Sequence, residues 1–301
     1  MGPGSRPLSP HPWTETPPAL DQDGSPMPVA TLRRPSPLSA SYARLAEVFE
    51  RLRVTEEAPR AAAGWIGSHQ LAAGGGALVE FLAREETRIL REHGERARPD
   101  VVASLGLHHY AWPACLLFTV PWFLHRRVPR LGVRDVSFHR TAGRMTVRPA
   151  HVVCLPDDPA AEWPGAVAVP DAAALREALR GAIAEHIGPV LGAFRPHTRR
   201  GPHALWGMVC DEIAEGLWHV ARLLGEEERA VAELGALLPG GTPPYPGGAD
   251  FRALGREHTR ERLSCCLFYT LRPDDPCAAC PRTCDADRLT RAGAEAEEQA
   301  K

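Results

Sequence analysis

The chain has 301 residues, 44% hydrophobic and 24% charged, enough apolar material for one large packed unit or two smaller ones. Its formal charge of −2 argues against nucleic acid or an anionic membrane surface as the main partner. The opening "MGPGSRPLSPHPWTETPPALDQDGSPM" has no apolar signal core, so the expected compartment is the reducing cytoplasm, where structural disulfides are disfavoured.

In chain order, residues 1–38 are Pro- and Ser-rich and read as a disordered arm. "SASYARLAEVFERL" (39–52) predicts an amphipathic helix with Tyr42, Leu45, Val48, Phe49 and Leu52 on one face. A second helix is expected over 75–94, ended by Gly94. The run "YAWPACLLFTVPWFL" (110–124) is too short to span a bilayer and carries Pro113 and Pro121, which predicts a buried helix pair or a kinked helix. Short alternating segments at 133–139, 144–148 and 151–155 predict a small antiparallel sheet. Helices follow over 170–195, with Asp171 as N-cap and an interruption near Gly188-Pro189, then over 202–225 and 226–238. The loop 239–248, "PGGTPPYPGG", is the best internal boundary. The expected fold is therefore α+β and predominantly α-helical. It comprises a helical domain over 39–248 with a β insert at 133–155, a short C-terminal segment over 249–285, and a charged tail over 286–301.

That C-terminal segment holds the chemistry. "SCCLFYTLRPDDPCAAC" (264–280) crowds four of the chain's eight cysteines together: Cys265, Cys266, Cys277 and Cys280. A disulfide between neighbours is geometrically poor. A structural zinc site would want two C-x₂₋₄-C knuckles, and only Cys277/Cys280 makes one. A two-iron core is wider than one ion: a C-x-x-C loop can chelate one iron while an adjacent pair reaches the other.

The pattern C-C-x₁₀-C-x₂-C, with Arg262 and Ser264 before it, Leu267-Phe268-Tyr269 within it and Pro281 after it, resembles the C-terminal signature of the FhuF-like ferric-siderophore reductases. "RPDVVASLGLHHYAWPACLL" is similar to the family's helical entry, and "HIGPVLGAFRPHTRRGPHALWGMV" to its leucine-rich helix and Leu-Trp-Gly motif. The likeness spans roughly residues 95–283 and is most specific at the cysteines. It implies a [2Fe–2S] cluster held by Cys265, Cys266, Cys277 and Cys280, and a one-electron reduction that releases iron as Fe(II). Its substrate would be a ferric siderophore or related ferric chelate. Two departures stand out: Met208 occupies a position where the family often has Asn, and Cys284 adds a fifth thiol. That thiol is either a spare or, with Cys277 and Cys280, part of a [4Fe–4S] alternative.

No nicotinamide or flavin fingerprint is present, since Gly74-Gly75-Gly76 lacks the strand–turn–helix spacing of a dinucleotide loop. The electron is therefore expected from an external donor, a ferredoxin or a flavoprotein reductase. With no transmembrane segment expected, contact with the inner membrane would be peripheral. Arg256, Arg260, Arg262, Arg272 and Arg282 ring the cysteines and read as a solvated face paired with Glu257, Glu261, Asp274 and Asp275, or else as charges that offset a cluster and meet an acidic donor or anionic siderophore. His108, His109, His197, His203 and His219 read as surface or capping residues. Trp206 and Trp218 read as core, and Cys115, Cys154 and Cys210 as small buried hydrophobes. The competing function class is a siderophore-binding or siderophore-biosynthesis accessory protein with a structural zinc site.

Overall fold

The computed structural model describes residues 36–254, 257–273, 277, 279–287 and 290. The N-terminal arm up to residue 35, the loop residues 274–276 and most of the charged tail lie outside them. The fold is α+β and mainly helical. In order it runs α1 (Ser39–Val48), β1 (Arg53–Glu56), β2 (Ile66–Gly67), α2 (Ser68–Ala73), α3 (Gly75–His93) and α4 (Pro99–His125). Then come β3 (Val128–Arg130), β4 (Val136–His139), β5 (Arg144–Val147), β6 (His151–Cys154) and β7 (Ala166–Ala168). The chain continues through α5 (Ala172–Thr198), α6 (Pro202–Leu224) and α7 (Glu227–Leu237) to a final hairpin of β8 (Arg252–Leu254) and β9 (Glu257–Thr259).

The architecture is organised around α4, which packs against α1, α3, α5 and α6. A helix surrounded on so many sides has to be apolar all round rather than along one stripe. Accordingly Leu107, Tyr110, Cys115, Leu116, Phe118, Trp122 and Phe123 are all buried. α4 has the length and hydropathy of a membrane span, but 83% of its most apolar stretch is covered by the rest of the protein. Asp171 caps α5 by accepting from the backbone N–H of Ala174 at 2.8 Å, and Gly94 ends α3 in the left-handed region (φ 76°).

Three expectations need correction. Of the two readings of the apolar run, the helix pair fails: the run lies within one helix that contains both Pro113 and Pro121, and the gap left by Pro121 is filled from outside. Proline has no N–H for the carbonyl four residues back, and that carbonyl, Leu117 O, accepts instead from Tyr42 Oη on α1 at 3.0 Å. α5 likewise runs unbroken through Gly188-Pro189. The third correction concerns the strands between α4 and α5. β4 and β5 pair antiparallel, but β6 leaves them for a second sheet of order β3-β6-β7. The first sheet is completed by β2 on β4 and by β1, which runs parallel to β5 with Val54 opposite Met145. β1 and β2 are too short and too far from their partners in sequence to show an alternating signal of their own.

Candidate functional site: a thiol corner tied to helix α6

The segment following β9 folds back over α6. It can lie close because Gly207 faces it: a Cβ there would meet Ser264 Oγ at 3.2 Å and Leu263 Cβ at 3.6 Å. Ser264 Oγ in turn donates to Ala204 O at 2.5 Å. The backbone closes the loop between the two cysteine pairs, with Arg262 N donating to Ala279 O at 3.0 Å and Cys280 N to Cys277 O at 2.9 Å. On the other side, Leu271 joins Ile89, Val101, Val102 and Leu105 in a small apolar cluster, and Phe268 stands edge-on to His93. The segment is thus clamped between α6 and the α3–α4 pair.

Charge supplies the α6 side of the clamp. Arg260 and Arg262 are buried, contrary to the solvated face expected of them, and both pair with carboxylates of α6. Arg260 donates to Asp211 Oδ1 and Glu215 Oε1, each at 2.7 Å; Arg262 donates to Glu212 Oε1 and Glu215 Oε2, each at 2.6 Å. Asp211 also accepts the backbone N–H groups of Leu263 and Ser264, both at 2.9 Å. His108 on α4 reaches Glu212 Oε1 at 2.8 Å through Nδ1. Buried charge is tolerable only when closely matched; here each carboxylate faces a cation, although Glu212 Oε2 itself has no hydrogen-bond partner among the described residues. Burial disfavours ionised Glu212, but His108 and Arg262 outweigh it and hold its pKa below the ordinary carboxylate value. Burial wins at Glu215, raising it to about 7 against the pull of Arg262 and Arg260. Of the other arginines, Arg272 is exposed and reaches His93 at 3.4 Å, and Arg282 lies 4.3 Å over the Tyr269 ring. Arg256, Asp274 and Asp275, and the side chain of Glu257, lie outside the described residues.

All four motif cysteines come to this corner. Cys266 and Cys277 approach to 3.7 Å between sulfurs. Cys266 and Cys280 lie near enough for their charge to bear on Cys265, and Cys280 near enough to bear on Cys277. The contact between Cys266 and Cys277 favours one thiolate in the pair and holds back the second, and Arg262 favours the thiolate at both sulfurs. Leu267 sits at φ 68°, an uncommon conformation outside glycine, and this turn aims its N–H at Cys265 Sγ at 3.4 Å. As the side chains stand, no three His, Cys, Asp or Glu groups converge on one point among the described residues. Two sulfurs bound to one tetrahedral metal at about 2.3 Å would sit about 3.8 Å apart, and the Cys266–Cys277 separation is of that size. The four thiols could hold an iron pair, or a zinc ion after side-chain rotation.

The remaining cysteines differ. Cys115, Cys154 and Cys210 are buried elsewhere, and burial raises all three thiols, Cys210 to about 12. Cys284 is exposed and donates to Asp287. Met208 is buried within 4.0 Å of Ser104 Oγ. Trp206 packs edge-on to Tyr245, and Trp218 to Phe251. His197 and His203 are exposed, His109 bonds Glu85 at 3.0 Å, and His219 sits among Phe49 and Trp112. The acidic triplet Asp211, Glu212 and Glu215 was not singled out from sequence. Its signal is three carboxylates within five positions of a helix, matched by an Arg-x-Arg separated from the cysteines by two residues.

Cys277 also opens onto a hollow of about 430 Å³ between α6 and the end of α1, bounded by Phe49, Arg51, Trp112, Trp218 and Arg222. A larger hollow of about 620 Å³ lies away from the cysteines, beside α3. Its Arg84 and Arg88 are taken up by Glu80, Glu85 and Glu92. No protein-family model matches the chain, and no curated protein does.

Proposed function

We propose that the chain is an iron–sulfur oxidoreductase that passes one electron to a ferric siderophore or related ferric chelate, so that iron leaves as Fe(II). The observation that carries this reading is the gathering of four soft thiols in one corner, with Cys277 forming part of the wall of an open hollow. Cys265, Cys266, Cys277 and Cys280 would hold a [2Fe–2S] cluster, which when bound supplies a one-electron couple.

The chain's own residues do the rest. Cys266 and Cys280 are buried, which keeps water from their sulfurs, whereas Cys277 reaches the hollow where a chelate can approach. Arg262 stands beside Cys266 and Cys277 and offsets thiolate charge, and the Leu267 N–H donates to Cys265. Positive charge and N–H donors near thiolate sulfur favour the more reduced, more negative state. Hard oxygen donors hold ferric iron more tightly than ferrous iron, so a single electron loosens the complex without any bond to the protein. The electron would come from outside, from a ferredoxin or a flavoprotein reductase.

The test is anaerobic. Gently purified protein should contain stoichiometric iron and sulfide and show visible absorption, and the reduced protein should be reoxidised by a ferric chelate. Cys280→Ser should lose the colour and at least 90% of the ferric-chelate reduction, as expected for removal of one of four ligands. A colourless protein with stoichiometric zinc would replace this reading with that of a siderophore-binding or biosynthesis-accessory protein.

A further inference from the structure

The hollow beside Cys277 adjoins a second of about 240 Å³, and Phe49, Arg51 and Trp112 border both. Together they are of a size that takes one arm of a large chelate, with the remainder in solvent. Aromatic rings line the hollow: Phe49 stands edge-on to Trp112 at 5.5 Å and to His219 at 5.4 Å, and Trp218 closes the far side.

Two cations stand at its rim. Arg51 and Arg222 are both exposed, and among the described residues neither is ion-paired with a carboxylate; Arg222 lies 5.6 Å over the Trp218 ring. Both lie near enough to bear on His219. Its pKa is held below the ordinary value first by burial and then by these two guanidiniums, so near neutral pH His219 offers an uncharged ring. The carboxylate in the lining is Glu215, and both its oxygens are engaged by Arg260 and Arg262. The hollow therefore presents flat aromatic faces and two positive charges with no carboxylate partner among the described residues, while its own carboxylate is already matched. A neutral chelate gains only contact with the rings, and a cationic one is repelled by the two guanidiniums, whereas an anionic complex with deprotonated aryl oxygens gains from both features.

Resting on the proposed reductase function, we propose that the chelate this site takes is an anionic ferric complex with aromatic oxygen donors, of the catecholate class, rather than a neutral or cationic hydroxamate complex.

Gallium(III) has the size and charge of ferric iron but is not reduced under these conditions, so its complexes report binding alone. The full chain is titrated with the trianionic gallium complex of a hexadentate tris-catecholamide and with the neutral gallium complex of a hexadentate tris-hydroxamate. Binding is read by tryptophan fluorescence and calorimetry. The catecholate complex should bind at least tenfold more tightly. Arg51→Gln and Arg222→Gln should each weaken it by on the order of tenfold, and the lysine variants by less, with unchanged circular dichroism. Equal or tighter binding of the hydroxamate complex, or full affinity in both glutamine variants, would overturn the assignment. The two proposals fail separately. Catecholate binding with this arginine dependence, but no reduction of the iron complex, rejects electron transfer and leaves the ligand class standing. Reduction of both iron complexes with no preference for charge does the opposite.

Discussion

His186 shows how one buried side chain couples stability to pH. It lies on α5 with no exposed surface, between Tyr110 Oη at 2.9 Å from Nε2 and Leu131 O at 3.0 Å from Nδ1. A neutral ring satisfies both partners if Nδ1–H donates to the carbonyl and Nε2 accepts from the tyrosine. Burial drives its pKa down to about 4, against the pull of the Leu131 carbonyl. Unfolded, the ring would titrate near 6.5. Between those values the unfolded chain binds a proton that the native one refuses, so this contribution is complete above about 6.5 and is lost as pH falls toward about 4. The loss amounts to about 3 kcal/mol in all, at no more than about 1.4 kcal/mol per pH unit. Urea midpoints over that range should fall more steeply for the parent chain than for His186→Gln. Parallel curves would show that the ring does not govern this slope.

At the scale of elements, the continuity of α4 depends on a bond that no periodicity reveals. Tyr42 Oη replaces the N–H that Pro121 cannot offer to Leu117 O. Tyr42→Phe should therefore cost about 1–3 kcal/mol by leaving a buried carbonyl unsatisfied. In a Pro121→Ala background, where the helix supplies its own N–H, the same substitution should cost distinctly less. A double-mutant cycle on unfolding free energies reads the difference, and additive costs would show that the two residues are uncoupled. The helices themselves were legible: Asp171, Gly94 and the apolar spacing of α6 mark ends and faces by local chemistry. The sheets were only partly so. The segments around β4, β5 and β6 alternate as strands do, but which strand each one joins depends on chain far away, as with β1 on β5.

At the scale of the molecule, the ion network makes the C-terminal segment part of the body. Arg262 spans both, reaching Glu212 and Glu215 on α6 while standing beside Cys266. Arg262→Met should leave Glu212 buried with one fewer cation and lower stability by about 3–5 kcal/mol. Limited proteolysis should then cut within 249–285 before it cuts the helices. Loss of the helices at the same rate would mean that the segment and body unfold as one unit.

What the sequence by itself determined is the local chemistry: the helical character, the helix ends, and four cysteines at a spacing suited to chelation, all set by residues within a few positions of one another. What only the tertiary structure decided is which charges are buried. Asp211, Glu212 and Glu215 look like the polar face of an amphipathic helix, and Arg260 and Arg262 like a solvated strip, until the segment folds over α6 and removes both from water. Charge solvation is a property of everything within reach in space, and these partners are roughly fifty residues apart in the chain.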